Sequence, residues 1–218
     1  MERQFQSQLD QIRELLLAMG SSVESAIETV VQGLNQRDLK KIEEVFVIEE
    51  KINQYQIALD QACTQYIAKQ GPVASDLRLI ISVIKINADL ERMGDQCVNI
   101  AHSTQDYLNR KGSISIQDIQ TMASISENMV KEALDCFVSR NQEVAQKVLL
   151  TDDELDRLKQ KVFTDMIAVM KKDSNQVETA MDLILIARNF ERLGDHATNI
   201  AEDVIYVSTG KDVRHGQF

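Results

Sequence analysis

The stretch "ERMGDQCVNIA", Glu91 to Ala101, returns one hundred residues later as "ERLGDHATNIA", Glu191 to Ala201, with seven of eleven positions identical. A second pair, "RDLKKIEEVFVIEEKIN" (Arg37 to Asn53) and "RNQEVAQKVLLTDDELD" (Arg140 to Asp156), aligns at an offset of 103. The difference between the offsets falls in one connection, where "KQGPVASD" is longer than "KKDSNQ". A duplicated fold tolerates an indel confined to a loop. The chain therefore reads as one unit written twice, residues 1–110 and 111–218.

Each unit reads as three helices. One proline and eight glycines are too few for the many turns of an all-β chain. Apolar spacing and punctuation place helices at about 3–35, 38–69, 76–109, 115–140, 141–171 and 175–208, the first disturbed at "MGSS". Gly71-Pro72 breaks the chain, and Gly112 and Gly210 sit at stops. Ser75, Ser115 with Asp118, and Asn175 with Glu178 have the form of N-terminal caps. Leu79, Val83, Ile86, Leu90, Met93, Cys97 and Ile100 form a heptad seam, matched by Leu183, Ile186, Phe190, Leu193, Ala197, Ile200 and Val204. Val45, Ile48, Ile52, Tyr55, Leu59, Ala62 and Tyr66 form another on the second helix. Such seams pack long helices at shallow angles. The expected fold is all-α: two tandem three-helix bundles with pseudo-twofold symmetry.

A second stripe, off the seam, is acidic. On the third helix Glu91, Asp95 and His102 fall within roughly 40° of one another, with Asn99 beside them. The repeat puts Glu191, Asp195, Asn199 and Glu202 on the same face. In a helix hairpin, residues equally far from the connection lie side by side. That sets Glu49 and Asn53 at the height of Glu91 and Asp95, and Asp152, Asp153 and Asp156 at the height of Glu191 and Asp195. Converging carboxylates repel unless a cation, a proton or solvent relieves them. An oxygen-rich set of this kind suits Mg²⁺, Mn²⁺, Ca²⁺ or carboxylate-ligated iron. The alternative is a solvated face on which Arg92 and Arg192 pair with the acids. Gly94 and Gly194 each cost about 1 kcal/mol relative to Ala in a helix interior. Close helix packing and close approach of a ligand both account for them.

Other classes are disfavoured. A net charge of −10 argues against nucleic acid and against unassisted binding to anionic lipid. Cys63, Cys97 and Cys136 sit at apolar helical positions without a CxxC, as reduced core thiols of a cytoplasmic protein would. The N-terminus does not read as a signal peptide, and no apolar run reaches membrane-spanning length. There is no ExxH pair, phosphate-cradling Gly-rich loop, HExxH or GxSxG, and no nucleophile–base pair, so no enzyme is expected. What remains is an acidic, duplicated helical binder, acting with metal or as a metal-independent adaptor for basic partner surfaces.

The segments "SDLRLIISVIKINADLERMGDQCVNIA" and "ARNFERLGDHATNIAEDVIY" resemble the two signature segments of the PhoU family, regulatory accessories of the bacterial phosphate-specific transport system. The likeness spans about residues 5–210 and includes "DDELD". It implies two three-helix bundles, a homodimer, and multinuclear sites for iron, zinc, manganese or magnesium. By motif, one site would use Glu49, Asn53, Glu91, Asp95 and Asn99, and the other Asp152, Asp156, Glu191, Asp195 and Asn199. Asn53 stands where the family carries an acid, which weakens the first site. The implied role is control of phosphate uptake and negative regulation of the phosphate-starvation response, linking the Pst transporter ATPase to a PhoR-type sensor kinase.

Overall fold

The computed structural model describes residues 2–110 and 114–213, with side chains from Ser7 onward. The described residues form six α-helices: α1 Glu2–Gln36, α2 Leu39–Gln70, α3 Ala74–Asn109, α4 Gln117–Ser139, α5 Gln142–Lys172 and α6 Val177–Thr209, with a 3₁₀ turn Ser174–Gln176 before α6. Helices α1–α3 pack on one another, as do α4–α6. The expectation at Gly112 lies outside the described residues.

The duplication is visible in backbone detail. Arg37 and Arg140, equivalent positions, both adopt a left-handed conformation with φ 54°. Each is followed by an N-cap: Asp38 accepts from the Lys40 and Lys41 amides, Asn141 from those of Glu143 and Val144. A left-handed residue ends one helix and a short polar side chain starts the next. The α2–α3 and α5–α6 connections differ, as the indel requires. Gly71 turns left-handed at φ 54° in the first, whereas Asp173 accepts from the Asn175 amide and leads the 3₁₀ turn in the second.

Both third-helix seams are buried throughout. On α2 only alternate seam positions are: Val45, Ile52, Leu59 and Tyr66 are buried, while Ile48, Tyr55 and Ala62 are half-buried. The reason is location. α2 lies on the outside against α1 and α3, so its apolar stripe is narrow, while α3 packs on α1, α2 and also α6. α3 and α6 form the most extensive helix pair, and one continuous core runs through both halves.

Four local expectations are corrected. α1 runs unbroken through "MGSS": Met19 is fully buried, and a Cβ on Gly20 would lie 3.0 Å from Leu134 of α4. That glycine serves a helix crossing rather than a break. Ser75 lies inside α3, whose N-cap Val73 makes no side-chain bond. α4 likewise starts behind Ile116, not Ser115, with no side-chain cap bond. Asn175 donates to the Asp173 carboxylate instead of capping α6, and Glu178 pairs with Arg110.

Candidate metal sites and the polar seam between the long helices

The glycines of the repeated motif set the spacing of the acidic faces. A Cβ on Gly94 would lie 3.1 Å from Ile52 Cδ1. One on Gly194 would lie 2.5 Å from Leu155 Cδ2 and 3.3 Å from Asp152 Oδ1. Ile52 and Leu155 are equivalent residues, each fully buried. Of the two accounts open in the sequence, close helix packing is therefore the one the structure bears out. α2 closes on α3, and α5 on α6, at the level of the carboxylates.

On the second face Asp152 is half-buried and its carboxyl is pushed up to about 6, by burial first and then by Asp195, Asp156, Glu191 and Asp153. Asp195 is raised by desolvation, then by Glu191 and Asp156, against the lowering effect of His196 and Lys159. The "DDELD" and "ERLGD" acids thus act on one another. A basic residue stands among them. Lys159 Nζ lies 2.7 Å from Asp156 Oδ1 and 2.6 Å from Glu191 Oε1, bridging α5 and α6. Desolvation opposes its charge, but the bonds to Asp156 and Glu191 prevail and raise its pKa.

The first face is quieter. Glu91 is raised by burial and Asp95, and to a lesser degree by Glu49 across the hairpin, with Arg92 and His196 lowering it. Asn53 donates its Nδ2 to Glu49 Oε1 at 2.5 Å. Gln56 occupies the position equivalent to Lys159. Among the described residues, no group of three His, Cys, Asp or Glu side chains stands close enough to hold a metal ion. Repulsion spreads the acids, and on the second face the lysine ammonium stands in as cation. The oxygen-only donor sets, with carboxyls raised by burial and then by one another, nonetheless suit a hard cation.

Asn99 and Asn199 lie away from these clusters, beside the α3–α6 seam. Asn199 Nδ2 donates to Asp89 Oδ1 at 3.1 Å, and His196 Nδ1 lies 2.9 Å from the same oxygen. Asp89 belongs to a polar heptad that the sequence reading missed. Ser82, Asp89, Gln96 and Ser103 on α3, with Asp182, Asn189, His196 and Asp203 on α6, recur every seven residues. All of these are buried except His196, which is half-buried. Their seven-residue spacing is the one signal in the sequence for a second packing surface, and their polarity masks it. Buried polar groups need partners, and several are provided across the seam. Besides Asp89, Lys85 Nζ meets Asp203 at 2.9 Å, and Arg110 binds Asp182. His102 packs its ring on Phe46, 4.9 Å between centroids.

The cysteines are buried and free. Burial pushes the Cys63 thiol up to about 11, with help from Asp60, and raises Cys97 as well, so neither is a ready nucleophile. No described helix is long and apolar enough to cross a membrane.

Comparison with known proteins agrees with this architecture. The PhoU domain model matches twice, over residues 16–104 and 119–204. A phosphate-specific transport system accessory protein PhoU homolog of Pseudomonas putida is 35% identical over 217 residues, covering 98% of this chain and 84% of the relative. The Escherichia coli (strain K12) accessory protein PhoU is 27% identical, covering 97% and 88%. The crystal structure of PhoU from Pseudomonas aeruginosa superposes with a TM-score of 0.92 at 34% identity, covering 95% of this chain and 100% of that one. The phosphate transport system regulatory protein PhoU from Streptococcus pneumoniae gives 0.89 at 25%, covering 96% and 99%.

Proposed function

From the premise that this chain belongs to the PhoU family, we propose that it controls phosphate uptake and represses the phosphate-starvation response by linking the Pst transporter ATPase to a PhoR-type sensor kinase. It is an accessory and regulatory protein of phosphate transport rather than an enzyme. The observation that carries the reading is the double domain match over residues 16–104 and 119–204, acidic motifs included. A cytoplasmic location and a homodimer complete it, on the strength of the resemblance.

Each acidic face is a cation site in this reading. Glu49, Glu91 and Asp95 with Asn53 would hold a cation on the first face, and Asp152, Asp156, Glu191 and Asp195 on the second. Asn99 and Asn199 would join these sets only by turning from the α3–α6 seam, where the Asn199 amide serves Asp89. Iron, zinc, manganese or magnesium bound there would supply positive charge. The chain's own contribution is to hold the carboxylates at one height through the Gly94 and Gly194 crossings, so that each face presents a fixed surface to a partner.

One observation favours a second reading. Lys159 already bridges Asp156 and Glu191 without metal, as a metal-independent acidic adaptor would. The test of the regulatory role is expression in a bacterium lacking its own PhoU, read by a starvation-response reporter in phosphate-rich medium. Restored repression is expected; a soluble chain that leaves the reporter fully on contradicts it. Glu191→Gln with Asp195→Asn then separates the two readings. Loss of partner binding only when metal is present supports cation sites, and equal loss under chelator supports the adaptor.

A further inference from the structure

Two clefts flank the α3–α6 pair, and the repeat relates them. One is lined by Lys85, Asp89, Arg92, Asn199, Glu202 and Asp203. The other, of about 240 Å³, is lined by Asn99, His102, Ser103, Arg188, Asn189 and Arg192. At the repeat offset of 100, Asp89 becomes Asn189, Glu202 becomes His102 and Asp203 becomes Ser103. All three acids of the first cleft are therefore missing from the second, while Arg92 is kept as Arg192 and Arg188 is added in place of Ala88.

The first cleft supplies its own anions. Asp89 receives Asn199 and His196, and Asp203 receives Lys85. The second has no carboxylate in its lining. Arg188 and Arg192 stand four residues apart on α6, a like-charge spacing that is unfavourable unless an anion lies between. Neither guanidinium makes a hydrogen bond or ion pair among the described residues. Asn189, buried to 8% exposure, turns its Nδ2 back to Leu185 O at 2.8 Å instead of crossing to α3. Gln96, at the position of His196, is also buried at 8%, and its Oε1 has no partner. The cross-helix bond that Asp89 makes thus has no counterpart here.

We propose that this cleft binds a small oxyanion of the phosphate and sulfate type, which takes the place that the Asp89 carboxylate fills in its twin. Arg188 and Arg192 supply forked donors, and Asn99 and Ser103 supply neutral ones from the opposite helix. The site borders the second carboxylate face, since Arg188 also lines a cleft with Lys159 and Glu191, but it has no carboxylate of its own and needs neither metal nor partner.

The test is calorimetric titration of the full chain with inorganic phosphate, and separately with sulfate, at constant ionic strength and with chelator present so that metal-held anion is not counted. One saturable site per chain is expected for at least one of the two. Arg188→Gln and Arg192→Gln should each weaken it by about tenfold or more, and Arg192→Lys by less. Asn189→Asp, which restores the twin's internal carboxylate, should abolish it, with helical content checked by circular dichroism. Absence of saturable binding of either anion up to about 10 mM overturns the proposal. So does binding that survives both arginine variants. Either failure leaves the regulatory reading, tested in cells, untouched.

Discussion

On the first half's acidic face, Glu49, Glu91 and Asp95 stand with the neutral Asn53 and Gln56; on the second, Asp152, Asp156, Glu191 and Asp195 stand with Lys159. By carboxylates alone the second face is the stronger candidate for a cation. Counting the lysine, the two sets carry the same charge. Asp156, the acid that Asn53 lacks, is paired by a lysine one turn further on, 2.7 Å away. The two faces thus carry the same charge by different means, amides in one and an internal ammonium in the other. A similar contrast recurs beside the α3–α6 seam, where one cleft holds its own acids and the other has none in its lining.

The sharpest way to break the likeness between the halves is at the glycines. In Gly194→Ala the new methyl meets fully buried Leu155 at 2.5 Å, so overpacking should outweigh the helix propensity gained and cost about 1–2 kcal/mol. Gly94→Ala meets Ile52 at 3.1 Å and should fall within about 0.5 kcal/mol of neutral. Urea unfolding of both variants checks the difference, and equal losses would mean the two crossings are not distinct.

A smaller effect follows from Asp152. Its folded pKa, about 6, lies above its ordinary 3.8, so the folded chain holds that proton more tightly than the unfolded one. The associated stability is fully present below about pH 4 and is lost as pH rises through 6. Since the carboxyl is only half-buried, solvent screening limits this to about 1 kcal/mol. Metal-free Asp152→Asn should therefore be more stable than the parent at pH 7, and the gap should close toward pH 4.

The smallest effect concerns the paired left-handed arginines. Arg140→Gly should stabilise by about 0.5 kcal/mol, because glycine adopts positive φ freely. Arg37→Gly should gain less, since the Arg37 guanidinium lies 5.4 Å from the Tyr107 ring centroid and that contact is lost. Thermal melts of the two variants measure the difference.

What could be read from sequence followed from periodicity and repetition. The seams of α3 and α6, the duplication and the facing of "DDELD" by "ERLGD" all rest on spacing, and spacing survives into the fold. What was missed depends on which neighbours a helix has. Ser82, Asp89, Gln96 and Ser103 look like surface residues until α6 is known to cover them. Lys159 reads as one more charge on a mixed helix face, although its place three residues after Asp156 puts it beside the acids. The caps proposed at Ser75, Ser115 and Asn175 failed because serine and asparagine near a helix start are common, and only the backbone decides which one accepts an amide hydrogen.

The central claim is that both acidic faces are cation sites and that Lys159 occupies the second until a metal displaces it. Mn²⁺ titration of metal-free protein, followed by calorimetry, tests it on the parent chain, Lys159→Met and Lys159→Met with Asp195→Asn. The account predicts saturable binding by the parent, a roughly tenfold tightening of one class of site in Lys159→Met, and loss of that gain when Asp195 is also changed. Parent protein that binds no Mn²⁺ up to millimolar levels, or a Lys159→Met chain that binds as the parent does, would contradict it.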